Sequence, residues 1–230
     1  VEIEMTRLFF LLLTACFLGL TARAQVFTLW PSAGGSTGNP LDAEIFSTEP
    51  VIINGVECEM KLGLIRQSFD DLAIALRNHF RRAQIAAAGN NLMVTLPPEN
   101  GWLQRYLYIA IRRGMPVLQI SMKVPEKLPE NFVWPRQLPI LPSATPFRVM
   151  VFPKRNALYG SFHYPPGSTA GALDQITGIA GNDWVRMAHE SANFGRASGE
   201  VLIRSNPAAV MLVNFTRDGV GIVYTRPLEK

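Results

Sequence analysis

Three histidines, His79, His163 and His189, hold most of the acid–base chemistry open to this chain near neutral pH. A serine hydrolase can be drawn from Ser161 or Ser168 as nucleophile, His163 or His189 as base, and Asp174 or Asp183 to orient the imidazole. Such a triad is defined by geometry, so His163, His189, Asp174 and Asp183 are candidates that only a structure can bring together. His189-Glu190-Ser191-Ala192-Asn193 opens like the helix of a zinc protease, but Asn193 stands where the second histidine ligand belongs. The spacing therefore supports no metal site. Gly34-Gly35-Ser36-Thr37-Gly38 matches the letters of a nucleophile elbow, yet Asn39-Pro40 follows where a helix would have to start. Its composition reads as a flexible segment. No glycine fingerprint for dinucleotides and no P-loop lysine occurs, so no cofactor is expected.

Binding chemistry has more material. Arg77, Arg81 and Arg82, with Arg66, sit on or near one predicted helix and form either an anion-facing surface or a solvated face. Arg112-Arg113 and Lys154-Arg155 fall in predicted turns. Trp30, Trp102 and Trp134 stand beside proline or glycine, where aromatic side chains cover sheet edges or meet a partner or glycan. Arg77, Arg81, Arg82, Trp30 and Trp134 are the candidate binding residues. The formal net charge of +4 suits contact with an anionic envelope component, as well as plain solubility.

The N-terminal segment restricts which of these chemistries matter. With Met5 read as the start, Arg7 precedes the apolar run Leu8 to Leu20, and Ala22-Arg23-Ala24 precedes Gln25. A charged start, a short apolar run and a small-x-small site make a secretory signal peptide over residues 1–24. The run is too short to span a bilayer core. Leu13-Thr14-Ala15-Cys16 offers a competing lipobox, which would leave Cys16 acylated and the protein membrane-anchored. Phe17-Leu18-Gly19-Leu20 continues the apolar run past Cys16, which favours cleavage after Ala24. The expected location is periplasmic or secreted, with the lipoprotein as the alternative. Export makes nucleic acid and cytosolic cofactors poor partners. Cys58 is then the lone thiol, without a disulfide partner, on the apolar face of Val56, Cys58 and Met60.

The elements that must position these residues read as two similar stretches. Asn54-Gly55 between Val51-Ile52-Ile53 and Val56 to Ile65 signals a hairpin. A helix follows from Ser68, with Phe69, Leu72, Ala73, Leu76, Phe80, Ala83 and Ala87 along one stripe until Gly89-Asn90. Tyr106 to Ile111 and Val117 to Val124 make a second hairpin. Beyond the proline-dense segment 125–146, Phe147 to Phe152 and Ala157 to Tyr164 form another hairpin. A weaker helix from Ser168 or Thr169 to about Ala180 follows, then strands Val210 to Phe215 and Val220 to Thr225. Trp30-Pro31 and Trp134-Pro135 enter the two proline-rich stretches alike.

The expected organisation is a signal peptide (1–24), a Gly/Pro-rich segment (25–50), a first unit (51–124), a linker (125–146) and a second unit (147–230). The expected fold class is α+β: two tandem hairpin–helix–hairpin units, each a mostly antiparallel sheet with one helix on one face. The expected function is that of an exported, non-catalytic bacterial envelope protein that binds or scaffolds another periplasmic or secreted component. The alternatives are a secreted hydrolase using His163 or His189, and a lipid-handling lipoprotein anchored at Cys16.

Overall fold

The computed structural model describes residues 42–88, 91–110, 116–164, 171–187, 198–216 and 219–227. The signal segment with Cys16, Trp30, Gly34 to Gly38, Arg112-Arg113, Ser168 and His189 lie outside the described residues. Twelve strands and two α-helices are found among the described residues. In chain order these are β1 (Glu44–Ile53), β2 (Val56–Ile65), α1 (Phe69–His79), β3 (Gln84–Ala88), β4 (Asn91–Thr95), β5 (Trp102–Ile109) and β6 (Val117–Pro125). Then come β7 (Thr145–Phe152), β8 (Ala157–His163), α2 (Ala172–Ala180), β9 (Val185–Arg186), β10 (Ser198–Ser205), β11 (Ala208–Thr216) and β12 (Gly219–Thr225).

This corrects the expected fold class. The chain is mostly antiparallel sheet, and its strands form one twelve-stranded order, β3-β4-β5-β6-β2-β1-β7-β8-β12-β11-β10-β9. It is not an α+β arrangement of two four-stranded, helix-packed hairpin units. Part of the reason lies between residues 80 and 95. The expected first helix runs to Ala87, but α1 stops at His79 and residues 84–88 form β3, paired with β4 from Gln84↔Thr95 to Ala88↔Asn91. Phe80 leaves helical geometry at φ −108°, ψ 73°. Its ring stacks on Tyr106, 6.3 Å between centroids, and Tyr106 stacks on Tyr108 at 6.2 Å. Once Phe80 is held by the sheet, Ala83, Ile85 and Ala87 pack at steps of two rather than three and four. Alanine satisfies both periods, which is why the stripe misleads. The strand β10, unanticipated, pairs with β11 along its whole length.

The described residues fall into two compact units. One comprises 42–50 and 58–127, the other 51–57 and 128–227. In the N-terminal unit, α1 covers one face of the sheet. Ser68 caps it: Oγ accepts from the Asp71 N–H (3.2 Å) and donates to Asp71 Oδ2 (2.7 Å). Eleven residues are marginal for an isolated helix. Leu72 and Leu76, both fully buried, hold it against Leu92, Val94, Tyr108 and Val117. Burial of each leucine is worth about 1.5–3 kcal/mol, more than the few tenths per residue at stake in helix propensity.

In the C-terminal unit, α2 buries Ala172 and Ile176 against Leu202, Met211 and Ile222. Its N-cap is Gly171 at φ 79°, with no side-chain cap. The proline-dense segment has no regular structure from Lys127 to Ala144, as its composition requires. It is nonetheless packed: Leu138 and Leu141 are buried in the same cluster as α2. The Trp134 indole N–H donates to the Leu138 carbonyl (2.7 Å), and its ring meets Phe162 edge-on at 5.9 Å. A Cβ on Gly160 would lie 2.6 Å from Trp134 Cη2 and 2.7 Å from Leu138 Cδ1. The close approach of that ring to β8 therefore requires glycine.

Candidate functional site

The hydrolytic candidates are placed on different elements. His163 ends β8, exposed, with its ring stacked on Phe147 (4.3 Å, 20° between planes), and it stands opposite Thr145 and Gly219 in register. Ser161, two residues earlier on β8, is buried, and its Oγ has no hydrogen-bond partner. Asp174 lies in the first turn of α2, exposed, and is ion-paired with Arg186 of β9. Asp183 sits in the α2–β9 connection and faces the Arg204 guanidinium at 3.6 Å. Both carboxylates are thus answered by arginines. The Arg204 guanidinium also lies 4.9 Å over the Trp184 ring and reaches the Tyr224 hydroxyl at 3.4 Å. This arrangement ties the end of α2 to β9, β10 and β12. Among the described residues, no group of three His, Cys, Asp or Glu side chains is placed to hold a metal ion. His189 lies outside those residues.

The binding candidates divide in the same way. Trp134 is spent on the core of the C-terminal unit, as its contacts with Leu138, Gly160 and Phe162 require. Trp30 is outside the described residues. Arg77 lies in the last turn of α1, half-buried, where a cation complements the carbonyl end of the helix. Arg81 and Arg82 follow immediately, both exposed, in the short turn that delivers the chain into β3. Two ion pairs of this unit are Lys61–Glu59 and Arg66–Glu44. The exposed Arg81 and Arg82 form a basic corner where α1 gives way to β3. It can hold an anion or an acidic side chain in water.

Several residues not anticipated as polar core members are buried. Asn54 is 4% exposed, yet its side chain is fully used: Nδ2 donates to the carbonyls of Pro129 (3.0 Å) and Phe147 (3.3 Å), and Oδ1 accepts from the Val149 N–H (2.8 Å). Tyr108 and Gln119, register partners on β5 and β6, are both buried, and neither the Tyr108 hydroxyl nor Gln119 Oε1 has a hydrogen-bond partner. Burial, and then the neighbouring Tyr106, push the Tyr108 phenol up from its usual range. Burial pushes the Cys58 thiol up to about 11, so it stays protonated near neutral pH, packed on the buried face of β2. Burial also pulls the Arg105 guanidinium down. In the C-terminal unit, Val185 and Ile203 are register partners and both exposed, beside exposed Met187. Alternation along β10 signals that pattern, but only once β10 is known to be a strand.

Compared with known protein families, with curated proteins and with solved structures, the chain finds no match.

Proposed function

We propose that this chain is an exported, non-catalytic bacterial envelope protein that binds or scaffolds an anionic or acidic periplasmic component. The observation that carries the reading is the pair of exposed arginines, Arg81 and Arg82, placed where α1 ends and β3 begins, with Arg77 in the last turn of α1 behind them. The apolar run Leu8 to Leu20 ahead of Ala22-Arg23-Ala24 supports export, and cleavage after Ala24 would release the chain to the periplasm. Arginines at an exposed turn meet acidic groups through hydrogen bonds in a fixed fork, which suits recognition better than lysine would.

Co-purification from native envelopes, with mass spectrometry of both the captured component and the mature N-terminus, tests the proposal. Retention of an anionic component that is lost on Arg81→Glu with Arg82→Glu, and a mature chain beginning at Gln25, is the expected result. A mature chain beginning at acylated Cys16 would instead support a membrane-anchored lipoprotein. Turnover of an ester, peptide or glycan by the folded protein, abolished by substitution of His163 or His189, would overturn the non-catalytic reading.

A further inference from the structure

Among the described residues, the twelve-stranded order ends in two different edges. At one end stands β9, two residues long, carrying Arg186 in an ion pair with Asp174. Short length and charge are the ordinary ways in which a sheet edge is kept from pairing with another chain. At the other end stands β3, Gln84-Ile85-Ala86-Ala87-Ala88, five residues in unbroken register with β4. It has no charged residue, no proline and no bulge.

The hydrogen-bond phase of β3 follows from its neighbours. The Leu96 N–H donates to the Gln104 carbonyl (2.9 Å), so even-numbered residues of β4 bond toward β5. Asn91, Met93 and Thr95 then bond toward β3, to Ala88, Ala86 and Gln84. The N–H and C=O groups of Ile85 and Ala87 point away from the sheet. Their side chains pack on the α1 side, in the cluster with Val94 and Tyr108. A strand laid along this edge would find main-chain groups at Ile85 and Ala87 that no described strand takes up, and an apolar row to extend beside them.

Charge selects the occupant. Arg81 and Arg82 stand just before β3, exposed. An incoming antiparallel strand passes them as it leaves the edge, so acidic residues following the paired segment would meet them. Self-pairing of two copies along β3 would bring no acidic residue to Arg81 and Arg82 from Gln84 to Ala88, between chains of formal net charge +4. We infer that the β3 edge takes an extended peptide segment of a partner protein, added antiparallel, with apolar side chains opposite Ile85 and Ala87 and acidic residues following them. This rests on the binding function proposed above and assigns its mode: main-chain pairing supplies affinity, while the alternating side chains and the acidic tail supply selectivity.

The probe is a fluorescently labelled peptide, Thr-Val-Thr-Val-Thr-Asp-Glu-Asp, titrated by anisotropy into the full chain. Its two valines fall opposite Ala87 and Ile85. N-methylation of both valines removes the donors that face the edge and should weaken binding roughly tenfold, the effect of losing two net hydrogen bonds. N-methylation of the middle and last threonines, whose N–H groups face away, should change affinity by less than about twofold. Ala87→Pro removes an edge donor without touching a bond to β4 and should weaken binding by a similar factor. Arg81→Glu with Arg82→Glu should favour a peptide ending in lysines over the acidic one.

No binding of the parent peptide, or equal loss from both N-methylated peptides, overturns the inference. So does a concentration-dependent dimer that Ala87→Pro abolishes, since the edge would then belong to a second copy. A native component that depends on Arg81 and Arg82 but ignores Ala87→Pro overturns the edge mode alone and leaves the binding function standing.

Discussion

The β1–β2 and β7–β8 hairpins hold matching places in the strand order, each leading into a helix and then a run of antiparallel strands. Each turns through an asparagine at φ 48°, Asn54 in one and Asn156 in the other. Each has a glycine on its second strand: Gly63 lies close to the start of β1 itself, and Gly160 close to Trp134 and Leu138 of the segment before the hairpin. The shared backbone hides a difference in load. Asn54 is buried and makes three side-chain hydrogen bonds, whereas Asn156 is exposed and reaches the Pro227 carbonyl at 3.4 Å. Gly160 meets a tryptophan ring, whereas Gly63 meets the tip of Ile45, itself 45% exposed, and the Ala43 methyl. The same local geometry is thus a keystone at one site and a convenience at the other. What decides is how much buried structure leans on it.

Substitution at the glycines probes this contrast most strongly. Gly160→Ala drives a methyl into the Trp134 ring and Leu138, both held by the core, and should destabilise by about 2–3 kcal/mol. The Trp134 indole would be displaced, so a change in tryptophan fluorescence should accompany the lower denaturant midpoint. Gly63→Ala meets the Ile45 tip, which can move, but also the Ala43 Cβ (2.9 Å) and the Glu44 carbonyl (3.2 Å), which move only with the half-exposed start of β1; it should cost about 1–2 kcal/mol, less than Gly160→Ala. Equal costs in urea unfolding would break the contrast.

The asparagines come next. Asn54→Gly keeps the positive φ but strands the Val149 N–H and two carbonyls, and should cost about 1–3 kcal/mol. Asn156→Gly should fall within about 0.5 kcal/mol of the parent. Amide hydrogen exchange at Val149 would rise only in the first variant.

Turn chemistry was readable in advance where it is local. Asn54-Gly55 signals the first hairpin, and Ser68 with Asp71 signals the start of α1, because a positive φ and a helix cap are decided within a few residues. Nothing local reports that Asn54 Nδ2 reaches Pro129, or that Leu138 and Leu141 of a proline-rich stretch are buried. Those depend on partners far along the chain. The missed strand β3 has a different cause: its alanines carry no preference strong enough to oppose a helical stripe, and the Phe80–Tyr106 stack that ends α1 is a tertiary contact. For the candidate site, the arginines could be named from their clustering. The outward main-chain groups of Ile85 and Ala87 could not, because an edge exists only once the strand order does.

Alkaline titration sharpens the contrast from the N-terminal side. Burial pushes the Cys58 thiol from 9.0 up to about 11, so the folded chain keeps a proton that the unfolded chain sheds first. Its contribution is fully present below about 9 and is lost as pH rises through about 11, on the order of 2 kcal/mol over the whole interval. Replacing the thiol by Cys58→Val should flatten the fall in stability over that window, while Tyr108, also pushed up by burial, leaves a residual slope.

The smallest effect is expected at the helix starts. Ser68→Ala removes the side chain that accepts from the Asp71 N–H at the α1 N-terminus and should cost about 1 kcal/mol in urea unfolding. At α2 the N-cap is Gly171, without a side-chain cap, and the first-turn Asp174 is exposed and paired with Arg186 on the surface. Asp174→Asn should therefore change stability by less than about 0.5 kcal/mol, and added salt should erase even that. A larger loss at Asp174 than at Ser68 would mean that α2 depends on its charged surface. In that case the buried contacts of Ala172 and Ile176 would not be what holds α2 in place.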